Sequence, residues 1–160
     1  MTAGAVDRDL PTGPADFAES AGSPPLRIIE TLSDDQCRQL HALYQQEWWT
    51  RGRTLADTRK CVAGSQIRIG LVDGSGSLQG FARVLTDYVF KAIVFDVIVA
   101  GDKRGEGLGK TLMSLVLNHE KLRSVKQVEL YCLPELSGFY EQLGFSTAVG
   151  RVGLMRLDNS

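Results

Sequence analysis

A chain of 160 residues is long enough for one domain with a hydrophobic core, but hardly for two. Its 18 basic and 19 acidic residues nearly cancel, so the charge gives no sign of a nucleic-acid-binding surface. Its three cysteines are widely spaced without a Cys-x-x-Cys pair, which favours reduced thiols over a disulfide framework or a zinc site. No apolar run approaches the ~20 residues of a membrane span, and the N-terminus lacks the pattern of a secretory signal. We therefore expect a cytoplasmic protein that binds neither membranes nor nucleic acids.

The first half of the chain predicts an arm, a strand and two helices. Residues 1–25 are rich in small and polar residues without an apolar period, which predicts a disordered, dispensable arm before a single domain over residues 26–160. A short strand is predicted over residues 26–31. Ser33 and Gln36 form a capping box, and the helix that follows carries Cys37, Leu40, Tyr44 and Trp48 at helical spacing. Thr54 and Asp57 indicate a second helix cap.

After the second helix the apolar period changes to that of strands. Residues 66–72 and 78–86 are predicted to form a hairpin across a glycine-rich turn. Residues 92–99 are apolar on both faces apart from Asp96, which is typical of a central strand covered by helices on both sides. A glycine loop then leads into a helix with Leu108, Leu112, Leu115, Val116 and His119 on one side. A strand over 127–133, a short helix from Pro134 to Gly144, and a last strand over 151–157 complete the prediction.

The glycine loop reads Arg104-x-x-Gly107-x-Gly109. It is not a Walker A loop, because Arg104 stands where that loop needs a glycine, and the spacing also fails the dinucleotide fingerprint. Glycines let the backbone approach a ligand, and the start of a helix presents free N–H groups and a positive dipole end. This arrangement suits a pyrophosphate, with added charge from Lys103 or Lys110. The alternative is a tight turn that needs glycine only for its geometry.

A second motif follows a strand and a short helix: Phe139, Tyr140, Gly144 and Phe145, in the form F-Y-x-x-x-G-F. Taken with the glycine loop, it resembles the GNAT superfamily of acyl-CoA-dependent N-acetyltransferases, whose signature Q/R-x-x-G-x-G/A follows the fourth strand. The order and spacing of the elements agree over residues 26–157. The resemblance implies a single α/β domain with a mixed, strongly twisted sheet and helices on both faces.

The resemblance also implies a binding site for acetyl-CoA as co-substrate. Its pyrophosphate is expected on the loop of Arg104, Gly105, Glu106, Gly107, Leu108, Gly109 and Lys110, and its pantetheine arm along Val97, Ile98 and Val99. In the family the fourth strand separates from the fifth at a bulge, which opens a cleft. An amide near Val97 is then expected to stabilise the oxyanion.

Two residues are candidates for catalysis. Tyr140 occupies the place of the family's general acid and is predicted to protonate the leaving thiolate; the alternative is that it only packs against the cofactor. Asp96 is a carboxylate in an apolar strand, where an unpaired charge is costly. Either it binds or deprotonates the amine, directly or through water, or it forms a structural pair with a buried arginine or a backbone donor. Both alternatives stay open.

The predicted function is transfer of an acetyl group from acetyl-CoA to a primary amine by direct attack in a ternary complex. No cysteine lies in either motif, so an acyl-enzyme is not expected, and no metal is implied. The acceptor is a small-molecule amine or a protein amino group, and a homodimer is left open. Trp48 and Trp49 are either an aromatic lip of the acceptor site or core residues. Glu47 either contacts a cationic acceptor or is an exposed glutamate without a part in binding. The rival functions are a non-catalytic acyl-CoA sensor and a P-loop hydrolase.

Overall fold

The computed structural model describes residues 25–159, so the predicted arm lies almost wholly outside the described residues. The strands are β1 (Arg27–Ile29), β2 (Ile67–Val72), β3 (Leu78–Thr86), β4 (Lys91–Val99) and β5 (Gln127–Leu130). The α-helices are α1 (Asp34–Gln46), α2 (Leu55–Ala63), α3 (Leu108–Leu117) and α4 (Ser137–Glu141). Three short 3₁₀ turns follow β4, α3 and β5, at Gly101–Lys103, Glu120–Leu122 and Pro134–Leu136.

The predicted capping box and the predicted second cap both form, the second also as a capping box. The Ser33 hydroxyl accepts a hydrogen bond from the Gln36 amide at 3.2 Å, and the Gln36 side chain accepts one from the Ser33 amide at 2.9 Å. Thr54 and Asp57 make the same reciprocal pair at the start of α2. These bonds satisfy amides that a helix start leaves without partners. The sequence therefore determines where both helices begin.

The five strands form one sheet in the order β1-β2-β3-β4-β5. The first four are antiparallel to their neighbours, and β5 runs parallel to β4, so the predicted mixed sheet is confirmed. Side chains of a strand alternate between faces, and here each face carries its own core. One core packs α1 and α2 against Phe81 and Ile98. The other packs α3 against Ala82, Val84 and Val94.

Strand β4 has two irregularities that the resemblance implied. Its register against β3 shifts, with Phe81 opposite Ile98 but Arg83 opposite Phe95, so that an extra residue of β4 forms a bulge around Asp96. The Asp96 backbone is left-handed there, with φ of 54°. Pairing with β5 ends at Val94 and Leu130. Beyond Val94, therefore, β4 continues to Val99 without β5 beside it.

Several predicted boundaries are wrong. Helix α1 ends at Gln46, so Trp48 lies beyond it and is 67% exposed. His119 lies after α3 and accepts a hydrogen bond from the Lys121 amide at 3.2 Å. The fifth strand stops at Leu130.

The predicted last strand over residues 151–157 does not form. This segment has a strand-like content of apolar residues, but a strand also needs a neighbour for its backbone hydrogen bonds. None of the described strands pairs with it. Its apolar side chains are largely exposed: Val152, Leu154, Met155 and Leu157. Among the described residues, no helix is both long and apolar enough to span a membrane.

Candidate active site

A cleft of about 1170 Å³ opens where β4 and β5 separate. Its walls come from the end of β4, the glycine loop, the end of β5, the start of α4 and the link between α1 and α2 (residues 47–54). Both catalytic candidates, Tyr140 and Asp96, line it. So do all but one of the predicted cofactor-binding residues: Val97, Ile98, Val99, Arg104, Gly105, Gly107, Leu108, Gly109 and Lys110. The exception is Glu106, which does not line the cleft and lies 3.5 Å from Lys103.

The glycine loop has the geometry of an anion site. Gly105 and Gly107 have left-handed backbones, with φ of 83° and 84°, which favours glycine at both positions. A Cβ atom at either would meet nothing within 4 Å, so open space faces the loop. Gly107 is the N-cap of α3 and offers no side-chain cap, which leaves the first amides of that helix available to a ligand. These features fit the pyrophosphate of acetyl-CoA.

Gly109 plays a different part. A Cβ atom there would lie 3.7 Å from the Phe139 ring, at ordinary contact distance, and its φ is not left-handed. Gly109 thus lies against Phe139, and α3 begins next to the helix that carries Tyr140. The two sequence motifs meet at this point.

Asp96 is 7% exposed at the bulge and accepts four hydrogen bonds. Its Oδ2 accepts from the Tyr44 hydroxyl at 2.8 Å, from Arg83 Nε at 2.6 Å and from Arg53 Nη1 at 2.7 Å. Its Oδ1 accepts from Arg53 Nη2 at 3.1 Å. These contacts match the alternative of a pair with a buried arginine; a role as base stays a prediction.

The ionisation of this cluster follows from its contacts. Burial alone raises the pKa of Asp96, but hydrogen bonds and charges from Arg53 and Arg83 outweigh it and hold that pKa below its usual value. Burial, together with the Asp96 charge, raises the pKa of Tyr44 far above its usual value. At neutral pH the carboxylate is therefore ionised and Tyr44 is a neutral donor.

The partners of Asp96 are not evident from the sequence patterns. Arg83 comes from the neighbouring strand and stacks 4.8 Å from the Phe95 ring; Arg53 comes from the link and lies 4.8 Å from the Tyr44 ring. An arginine within the apolar run of β3 was the available signal, because a buried cation needs an anion nearby. Arg53 gave no such signal, since it lies in an irregular segment.

Tyr140 lies on α4 among aromatic rings. Its ring packs edge-on against Phe139 at 5.0 Å and Phe145 at 5.9 Å between centroids. Burial raises the pKa of Tyr140, and Cys132 raises it further. The phenol is thus protonated at neutral pH, which is the state that a proton donor requires.

The far wall of the cleft is aromatic. Trp48 and Trp49 both line it, and Trp49 meets Tyr44 edge-on at 6.5 Å. Phe95 and Tyr131 lie 6.2 Å apart at the end of the separated strands. The two tryptophans are 67% and 39% exposed, so they form a lip of the cleft and are not core residues. His41 and His119 are not among its lining residues.

Comparison with known proteins defines the class. Residues 63–147 match the sequence model of the family described as "Acetyltransferase (GNAT) domain". The chain is 31% identical over 148 residues to an uncharacterized N-acetyltransferase, ycf52-like, of Prochlorococcus marinus, a match that spans 84% of this chain and 82% of that protein. The structure of an acetyltransferase assigned to this family from Xanthomonas campestris pv. campestris superimposes with a TM-score of 0.73 at 26% identity, covering 86% of this chain and 95% of that one. This chain belongs to the GNAT acetyltransferase family.

Two further relatives match over part of their length. The chain is 32% identical over 110 residues to the uncharacterized N-acetyltransferase ycf52 of Porphyra purpurea, covering 67% of this chain but only 63% of that protein. It is 35% identical over 92 residues to a rice protein named serotonin N-acetyltransferase 2, chloroplastic, covering 55% of this chain and 46% of that protein.

Proposed function

We propose that this acetyltransferase moves an acetyl group from acetyl-CoA to a primary amine by direct attack in a ternary complex. The cleft between β4 and β5 carries this proposal. It joins the anion-binding loop, a strand edge without a β5 neighbour and a protonated tyrosine in one space.

The loop and β4 bind the cofactor in this proposal. Amides of Gly105, Glu106, Gly107 and the start of α3, including Leu108 and Gly109, receive the pyrophosphate, and Arg104 and Lys110 add positive charge. Glu106 contributes only its backbone. The edge of β4 at Val97, Ile98 and Val99 faces the cleft without a β5 partner, so its backbone groups are available to the pantetheine amides.

Bound acetyl-CoA supplies a thioester: the amine nitrogen bonds to its carbonyl carbon, the carbon–sulfur bond breaks, and the thiolate leaves. An amide at the bulge near Val97 donates to the developing oxyanion. Tyr140 gives its proton to the thiolate. A thiol has a pKa of about 8.5 and a phenol about 10, and burial raises the pKa of Tyr140 further. The phenol therefore keeps its proton until charge develops on the sulfur, and the transfer is uphill by the difference between the two pKa values.

For Asp96 we favour the structural alternative. All the hydrogen bonds that Asp96 accepts come from Tyr44, Arg53 and Arg83, so Asp96 fixes Arg53 in the wall of the cleft, and the amine loses its proton to water. The acceptor that best fits the cleft is an arylalkylamine. Ring surfaces for stacking are offered by Trp48, Trp49, Phe95 and Tyr131. The rice relative is named for serotonin, which is itself an arylalkylamine.

Thiol release tests the function directly. With acetyl-CoA we expect turnover of tryptamine to exceed that of spermidine, glucosamine and a lysine-containing peptide. Tyr140→Phe removes only the hydroxyl, so acetyl-CoA affinity should stay within twofold while turnover falls by roughly 10²-fold, the usual scale of general acid catalysis. Tyr88→Phe, outside the cleft, is the control.

Acetyl-CoA binding without thiol release for any amine would instead identify the non-catalytic sensor. Full turnover by Tyr140→Phe, with chemistry shown to limit the rate, would leave Tyr140 as a packing residue. We also propose a homodimer, which the exposed apolar residues of the segment 151–157 support. The cytoplasm is proposed as its location, because three free cysteines suit a reducing compartment.

A further inference from the structure

Glu47 is the second carboxylate among the described residues that line the cleft. It is the C-cap of α1, its carbonyl accepts the amides of Thr50 at 3.2 Å and Arg51 at 2.9 Å, and its side chain is 18% exposed. The last turn of α1 contains no basic residue. A carboxylate at the negative end of a helix is unfavourable without a cation, so this position attracts positive charge.

Arg104 supplies that cation. Its Nη2 forms an ion pair with Glu47 Oε1, and its Nε makes only a long contact of 3.4 Å to the Val99 carbonyl. The Arg104 side chain is 55% exposed, so water screens its pair with Glu47 and the pair stabilises the fold only a little. The bond therefore joins the cofactor loop to the wall that carries Trp48 and Trp49, and it is easily exchanged.

We propose that Glu47 binds the ammonium of the acceptor, and that Arg104 blocks it until the cofactor is bound. This inference rests on the proposed function. A pyrophosphate carries more charge than one carboxylate and accepts paired hydrogen bonds from a guanidinium, so cofactor binding draws Arg104 away. The freed carboxylate then faces the same cleft as the indole rings of Trp48 and Trp49, so that an ammonium and an aromatic ring can bind there together.

Asp96 cannot take this part, because Arg53, Arg83 and Tyr44 occupy its oxygens. The movement of Arg104 from Glu47 to the pyrophosphate couples the two substrates. Cofactor binding strengthens amine binding, and amine binding strengthens cofactor binding by the same factor. A neutral molecule of the same shape gains no affinity when Arg104 leaves Glu47.

Calorimetry with CoA, which cannot donate an acetyl group, measures this coupling. Tryptamine should bind the CoA-saturated enzyme at least tenfold more tightly than the free enzyme, whereas tryptophol, with a hydroxyl in place of the ammonium, should gain less than twofold. In Glu47→Gln tryptamine should bind weakly with or without CoA, while CoA itself binds as well as before or better. In Arg104→Gln tryptamine should bind the free enzyme more tightly than it binds the wild type.

Glu129→Gln is the matched control, because it breaks the exposed Lys91–Glu129 pair away from the cleft and should behave as wild type. A Glu47→Gln protein that keeps the tenfold coupling overturns the inference, and so does CoA-saturated wild type that fails to bind tryptamine. The thiol-release assay separates these results from failure of the function. If the wild type turns over tryptamine and Glu47→Gln has the same kcat/KM, this inference is wrong while the proposed function stands.

Discussion

Asp96 stabilises the cleft through its two arginines. Asp96→Asn keeps the shape but leaves Arg53 and Arg83 without a counter-charge, and breaking a buried pair in this way costs about 3–5 kcal/mol in the free energy of unfolding. Urea denaturation at pH 7 measures the loss. Asp34→Asn, which breaks exposed pairs with Arg38 and Arg59, should cost about 0–1 kcal/mol.

The effect depends on pH in a defined direction. The pKa of Asp96 is lowered by folding, so its stabilisation is complete above the unfolded pKa of about 3.9 and is lost as pH falls through the lower folded value. The difference between wild type and Asp96→Asn should therefore shrink below about pH 4. If Asp96 is instead the base, the variant keeps its stability and shows an altered pH profile of turnover.

At the scale of elements, the glycine loop contains two kinds of glycine, those with a left-handed backbone and one, Gly109, without it. Gly107→Ala forces a side chain into a left-handed backbone, at a cost of about 1–2 kcal/mol. We expect the loop to relax and turn its amides away, which weakens acetyl-CoA binding about tenfold by calorimetry. Gly109→Ala meets only an ordinary contact with Phe139 and should weaken binding less.

Gly76 provides the control for backbone strain. It has φ of 85° in the turn between β2 and β3, outside the cleft lining, so Gly76→Ala should lower stability without changing acetyl-CoA affinity. Equal affinity in Gly107→Ala and wild type would mean that the loop amides do not hold the cofactor.

The same elements show what the sequence could predict. Caps, turns and the glycine loop depend on neighbouring residues, so their positions could be predicted from local patterns. Whether residues 151–157 form a strand could not be predicted in this way, because a local pattern does not show whether a neighbouring strand is available to pair with it. The cluster around Asp96 brings together α1, the link and β3, and contacts between residues so far apart leave little trace in the order of the chain.

At the scale of the whole molecule, one sheet serves two cores. Leu40 belongs to the core on the α1 face and Leu112 to the core on the α3 face, and both are fully buried. Leu40→Ala or Leu112→Ala should each lower the free energy of unfolding by about 2–5 kcal/mol. Because β3 contributes to both cores, either variant should still unfold in one transition.

Two probes can test this cooperativity. The chain has two tryptophans, Trp48 and Trp49, both beyond the end of α1, so fluorescence reports one face of the sheet while far-ultraviolet circular dichroism reports the whole chain. The two denaturation curves should coincide in both variants. A fluorescence change at lower urea in Leu40→Ala would show instead that the two faces unfold separately.

The link between α1 and α2 gives this protein a way to change its substrate range during evolution. The Thr50 hydroxyl donates to the Tyr44 carbonyl at 2.8 Å, and the Gln45 side-chain amide donates to the Arg53 carbonyl at 2.9 Å, so two residues of the link are tied to α1. Trp48, which lies between α1 and Thr50, is 67% exposed. Loop residues of this kind tolerate replacement far better than core residues. Descendants could therefore acquire new acceptors by mutation of Trp48, while the machinery for the acetyl donor, built on the sheet and α3, stays unaltered.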